Sequence, residues 1–163
     1  AAVQAVACDL RLTRPYLAPQ AIEARLNRLA EATKLPVYIN ALSVDASREA
    51  VQAERLQDLL SLCFSHPAVQ GVCLGEIWEA TAPNDNAALF RRNFTARPAA
   101  KLLQKLLTED WWTDTEVKTD ATGTARLVAF LGDYEITVPA AAEPLTRTLT
   151  LGRDGAEIVI DLP

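Results

Sequence analysis

A single histidine, His66, and three cysteines, Cys8, Cys63 and Cys73, are all the imidazole and thiol this chain carries. One imidazole leaves no second histidine for a relay or a metal site. The cysteines are odd in number and show no C-x-x-C spacing, so they read as small hydrophobes, Cys63 on a helix and Cys8 and Cys73 in strands. P-loop, G-x-G-x-x-G, G-x-S-x-G and zinc-type runs are all missing. No metal and no cofactor are expected. Basic residues are outnumbered, 16 against 21 acidic ones, for a net charge of −5 and a pI near 4.9. Without a basic stripe to neutralise phosphates, nucleic acid is not an expected partner. Apolar runs fall far short of the ~20 residues a membrane span needs. The first residues show no basic-then-apolar leader and pass straight into a strand-like run, as expected of a piece of a longer or processed protein.

What the chain does hold is apolar residues, 50% of 163, enough to bury one core. Their spacing predicts a strand over Val3 to Leu10, then a helix from Pro19 to Thr33 with Ile22, Leu26, Leu29 and Ala30 on one stripe. Val37 to Ala41 reads as a buried parallel strand. Ser47 is placed to cap a helix carrying Glu49 in its first turn and Val51, Leu56, Leu59, Leu60, Cys63 and Phe64 on its stripe, stopped by His66-Pro67. A strand over Val69 to Leu74 and a helix from Pro98 to Leu107 follow. The order β-α-β-α-β-α implies a parallel α/β sheet or barrel.

From Thr115 the period shortens. Turn residues Ala121-Thr-Gly123, Gly132-Asp133 and Arg153-Asp-Gly155 separate alternating runs at Ala125–Leu131, Tyr134–Val138, Leu145–Leu151 and Ala156–Ile160. A small antiparallel β-sheet or sandwich module is expected over 113–163, after an α/β portion over 1–112.

Three segments carry a family likeness. Leu35-Pro-Val-Tyr-Ile-Asn-Ala-Leu-Ser-Val-Asp45, Gly71-Val-Cys-Leu-Gly-Glu-Ile-Trp78 and Leu89-Phe-Arg-Arg-Asn-Phe-Thr-Ala-Arg-Pro98 together resemble the last third of a family-ten glycoside hydrolase, the xylanase family. The resemblance implies a partial (β/α)8 TIM barrel made of the last three β/α units. It also implies an extracellular or periplasmic location, which the residues themselves leave unknown. The run Asp120 to Val138 resembles transthyretin-like and carboxypeptidase-regulatory modules, which some xylanase-family relatives carry after the barrel.

The same resemblance sets Ile39-Asn-Ala-Leu-Ser43 on the strand that carries the catalytic nucleophile, with Ala41 at the nucleophile's place. Retaining glycoside hydrolysis needs a second carboxylate as nucleophile, and a methyl group cannot attack an anomeric carbon. Asp9 stands where the family has a histidine. Gly75 and Glu76 replace the first two residues of the family's Trp-Gly-x-Trp, and Trp78 keeps the second tryptophan. The resemblance therefore implies no catalytic residue here and no enzyme activity.

Trp78 is either a surviving sugar-stacking platform or an aromatic filling the barrel mouth. Asp9 and Glu76 lie at the ends of alternate strands, so they either form a rebuilt carboxylate pair for a sugar or cation or pair with Arg11 or Arg14. Trp111 and Trp112 either seal a junction or offer stacking and partner surface. Arg91, Arg92 and Arg97 read as a solvated face. Three open readings follow: a structural or protein-interaction module whose partner is another protein chain or the missing upstream barrel half; a carbohydrate-binding protein without cleavage; and a hydrolase with relocated carboxylates.

Overall fold

The computed structural model describes residues 2–140 and 143–161. The chain divides into two compact units, Ala1–Leu106 and Leu107–Pro163; the sequence reading had drawn its boundary at 112. The first unit is an α/β layer of strands β1 (Val6–Leu12), β2 (Val37–Val44) and β3 (Val69–Leu74) and helices α1 (Pro19–Thr33), α2 (Glu49–Ser65) and α3 (Pro98–Lys105). The strands are parallel in the order β1-β2-β3. Leu106–Asp110 continues α3 as a π-helical turn.

Each helix ends for a local reason. Pro19 opens α1, where its missing N–H costs nothing, and Lys34 closes it in the left-handed conformation, donating its N–H to the Ala30 carbonyl at 2.8 Å. Ser47 does not cap α2: the N-cap is Arg48, without a side-chain bond, and the Ser47 hydroxyl instead accepts from Arg14. At the far end, buried His66 accepts the Ala68 N–H at Nδ1, 3.2 Å, which leaves the proton on Nε2 to donate to Asn27 Oδ1 at 3.1 Å. It is a satisfied core histidine and ties α2 to α1.

The core lies between one face of the sheet and the helices. Val37, Ile39, Leu42 and Val44 of β2 are buried together with Leu56, Leu59, Leu60 and Cys63 of α2. Gln52, also buried, donates to the carbonyls of Ala88 (3.1 Å) and Val44 (3.5 Å), so α2 holds the loop after β3 against the end of β2.

The other face of the sheet carries no helix among the described residues of this unit. Ala7, Asp9 and Arg11 of β1, Tyr38 of β2 and Cys73 of β3 are exposed on it. Tyr38 lies over Gly71, where a Cβ would meet its ring at 2.9 Å. The expected burial of the cysteines therefore holds for Cys63 alone: Cys73 is exposed on the face without a covering layer, and Cys8, on the helix side beside Ile39, is half-buried because β1 is an edge strand. Burial, then the neighbouring Cys8, pushes the Cys63 thiol up to about 11, and burial with Asp9 beside it raises Cys8. A thiol reagent at neutral pH is expected to modify Cys73 first, with Cys63 slower by about 100-fold or more until denaturant is added. Peptide mapping of partially labelled protein checks this order.

The second unit holds one hairpin, β4 (Gly132–Val138) antiparallel to β5 (Leu145–Leu151). The expected strands at 125–131 and 156–160 do not form, and Val128 is 97% exposed. Alternation suits a strand only where a neighbour supplies hydrogen bonds and a face to cover. Gly132 opens β4 rather than making a turn, whereas Arg153-Asp154 does turn the chain between bridged Gly152 and Gly155.

The turn predicted at Ala121-Thr-Gly123 forms around Asp120, whose Oδ1 accepts from the Thr122 hydroxyl (2.7 Å) and the amides of Thr122 (2.9 Å) and Thr124 (3.0 Å). These bonds, the hydroxyl's first, hold the carboxyl below the usual aspartate range. A depressed folded pKa means the ionised form stabilises the turn. That contribution is complete above the unfolded aspartate pKa and is lost as pH falls through the lower folded value. A carbon-detected NMR titration should place the Asp120 midpoint below that of an unstructured aspartate, and Thr122→Ala should move it back up.

Candidate functional site

The site is built where the three parallel strands end. Along β1 and β2 the register runs Cys8 beside Ile39, then Asp9 beside Ala41, so Asn40 is an extra residue. On the other side Ile39 pairs Val72 and Leu42 pairs Leu74, which sets two residues of β2 against Cys73 alone. This is a bulge, and it inverts the alternation. Leu42 and Val44 rejoin Val37 and Ile39 on the helix-covered face, while Ala41 and Ser43 join Asp9 and Arg11 on the open one.

Ala41 thus sits between Asp9 of β1 and Gly75 just past β3. A Cβ built on Gly75 would lie 3.7 Å from the Ala41 and Ser43 Cβ atoms. Two of the smallest residues lie side by side and make a floor to which neither brings a side-chain oxygen, with Ser43 next to them.

Asp9 and Glu76 are both brought to this floor, and Arg11 joins them. Its Nη1 donates to Glu76 Oε1 at 2.7 Å and its Nε to Asp9 Oδ2 at 3.4 Å. Of the two sequence alternatives for these carboxylates, the ion pair with Arg11 is the one formed; Arg14 instead reaches Ser47. The Glu76 side chain is 8% exposed and the Asp9 side chain 56%, so the first ion pair is the sheltered one. Glu76 adopts a positive φ of 47°, an uncommon conformation for a residue with a Cβ, and it turns the chain sharply out of β3.

Trp78 lies on the loop that follows. Its ring stacks on Phe94 with centroids 4.8 Å apart and planes 10° from parallel, and its Nε1 donates to the Arg92 carbonyl at 3.3 Å. One face of the indole is therefore occupied from within the chain. Trp111 and Trp112 belong to the second unit, where Trp112 is 66% exposed.

The residues that hold this loop were misjudged from the sequence. Arg97 is not solvated: it is buried, its Nη2 donating to Glu79 Oε1 at 3.0 Å and its Nε lying 3.7 Å from Glu49. Arg91 grips Glu49 with both carboxylate oxygens at 2.7 and 2.8 Å, and Glu79 Oε2 accepts the Arg92 N–H at 2.8 Å. No local signal marks this cluster, because Glu49 comes from α2 and Glu79 from the loop after β3. Among the described residues no cluster of three or more His, Cys, Asp or Glu side chains is placed to hold a metal, and no helix is long and apolar enough to cross a membrane.

The fold is that of part of a xylanase barrel. Xylanase 10B from Thermotoga maritima superposes with a TM-score of 0.55 at 18% identity, over 66% of this chain and 37% of that one. In sequence, the chain is 30% identical over 121 residues to the anti-sigma-I factor RsgI6 of Acetivibrio thermocellus, covering 73% of this chain and 16% of that protein. It is 24% identical over 127 residues to endo-1,4-beta-xylanase 1 of Arabidopsis thaliana, covering 77% and 13%. It spans less than a fifth of the length of these two relatives. No family profile matches the chain. About two thirds of it resembles a family-ten xylanase at low identity.

Proposed function

We propose that this chain is a non-catalytic, glycoside-hydrolase-like module with a structural or protein-interaction role in a larger assembly or longer protein, corresponding to the last three β/α units of a barrel. The observation that carries the reading is the methyl group of Ala41 at the place where the resemblance sets the nucleophile, flanked by Gly75 and by two carboxylates that share Arg11. A hydrolase with relocated carboxylates would need Asp9 or Glu76 turned toward a bound sugar, and both side chains are turned toward Arg11 instead. The name of one relative, an anti-sigma factor, supports a use for such a segment other than cleavage.

The open sheet face and the free edges of β1 and β3 support the interaction role, since a parallel sheet gains from a cover on each face and a partner at each edge. Cys73 reports on that face. In the intact assembly its labelling is expected to slow by about tenfold or more relative to this chain alone, as a covered thiol loses access to reagent. Equal labelling rates in both would contradict the interaction role.

A second reading, carbohydrate binding without cleavage, draws on the exposure of Trp112 and the aromatic pair Trp78–Phe94. Tryptophan fluorescence titrated with xylo-oligosaccharides separates it from the first: a saturable change supports binding, and a flat response removes it.

A further inference from the structure

Away from the strand ends just described, the loop after β1 and the start of α2 frame a shallow depression, wide open to solvent, lined by Arg14, Pro15, Tyr16, Arg48, Val51, Glu54 and Arg55. On a chain of net charge −5, this lining sets three guanidiniums against one carboxylate. Two contacts fix the loop that borders it. The Tyr16 hydroxyl donates to the Asp45 carbonyl at 2.8 Å and pins the loop to the β2–α2 connection. Arg14 lies over the Tyr16 ring, 6.0 Å from its centroid, and donates to the Ser47 hydroxyl at 3.1 Å.

The uncompensated charge belongs to two of the three arginines. Arg55 is already held by Asp58 at 3.2 Å and Glu54 at 3.8 Å. Neither Arg14 nor Arg48 has a carboxylate partner among the described residues. Arg48 is exposed at the N-cap of α2, beside Glu49 in the first turn, and its guanidinium makes no side-chain cap.

We propose that this depression binds a carboxylate carried on a carbon skeleton. Guanidinium forks match a carboxylate's two oxygens. Pro15, Val51 and the ring of Tyr16 give the skeleton an apolar wall that a bare inorganic anion would not use. The site is independent of the non-catalytic reading, because none of its residues touches Asp9, Ala41 or Glu76.

Calorimetry on the full chain at low salt tests it with three probes: sodium glucuronate, neutral glucose and inorganic phosphate. Glucuronate is expected to bind with a millimolar Kd that weakens as salt rises, glucose not at all, and phosphate more weakly than glucuronate. Arg48→Ala should weaken glucuronate by about tenfold or more with the melting temperature unchanged, and the Arg14→Ala/Arg48→Ala pair should abolish binding. Absent heat with glucuronate, unaltered affinity in both variants, or phosphate binding as well as glucuronate would overturn the proposal.

Discussion

Ile39→Ala is expected to destabilise the α/β unit by about 3 kcal/mol, read as a lower urea midpoint with an unchanged slope. Ile39 is fully buried on β2, the central strand, between Cys8 of β1 and Val72 of β3 and beneath the helices. Truncation removes apolar contact and leaves a cavity that a strand bonded on both sides cannot close. Val128→Ala, at a side chain 97% exposed, serves as the control and should change stability by less than about 0.5 kcal/mol. Equal effects at the two positions would mean that β2 is not the core strand.

The second large effect is expected at Arg97. Arg97→Met keeps much of the volume but strands Glu79 and weakens the hold on Glu49, whose side chains are 21% and 36% exposed. Those partners retain some contact with water, so the cost falls below that of breaking a fully buried pair, at about 2 kcal/mol. Glu79 also accepts the Arg92 N–H, and Arg92 accepts the Trp78 indole N–H. The loop should therefore loosen as a unit, and the Trp78 emission should shift to the red together with the loss of stability. Arg97→Lys should recover only part, because a single ammonium cannot reproduce the directions of a guanidinium. Full recovery by lysine would show that charge alone, not the fork, holds the loop.

These two residues also mark how far the sequence could be read. The limits of α1 and β3 were legible because local signals set them: Pro19 before an apolar stripe, and an apolar run closed by Gly75-Glu76. The end of β2 was not. The sequence reads as a strand to Ala41 followed by a polar loop, yet the strand continues to Val44, and the extra residue at Asn40 carries no local mark. That bulge also decides which way Ala41 and Ser43 face, so the geometry of the candidate site was hidden behind one residue of register. Arg11 was read as one possible counter-ion for Asp9 and Glu76. Glu76 lies 65 residues along the chain from it, and only the assembled sheet selects that pair over Arg14. Arg97 was misread because an arginine before a helix carries no local mark of burial; its two acids come from α2 and from the loop after β3. In the second unit the error ran the other way. The runs at 125–131 and 156–160 have the pattern of strands without the partners that make strands.

Arg11 occupies the middle of the functional argument, since it binds both acids that flank Ala41. The most direct measurement is release of chromophore from an aryl xyloside by the intact protein, beside its Asp9→Ala and Glu76→Ala variants. The prediction is no turnover above buffer in any of the three. Turnover in the intact protein that vanishes in either variant would show that a carboxylate on this floor does the chemistry Ala41 cannot.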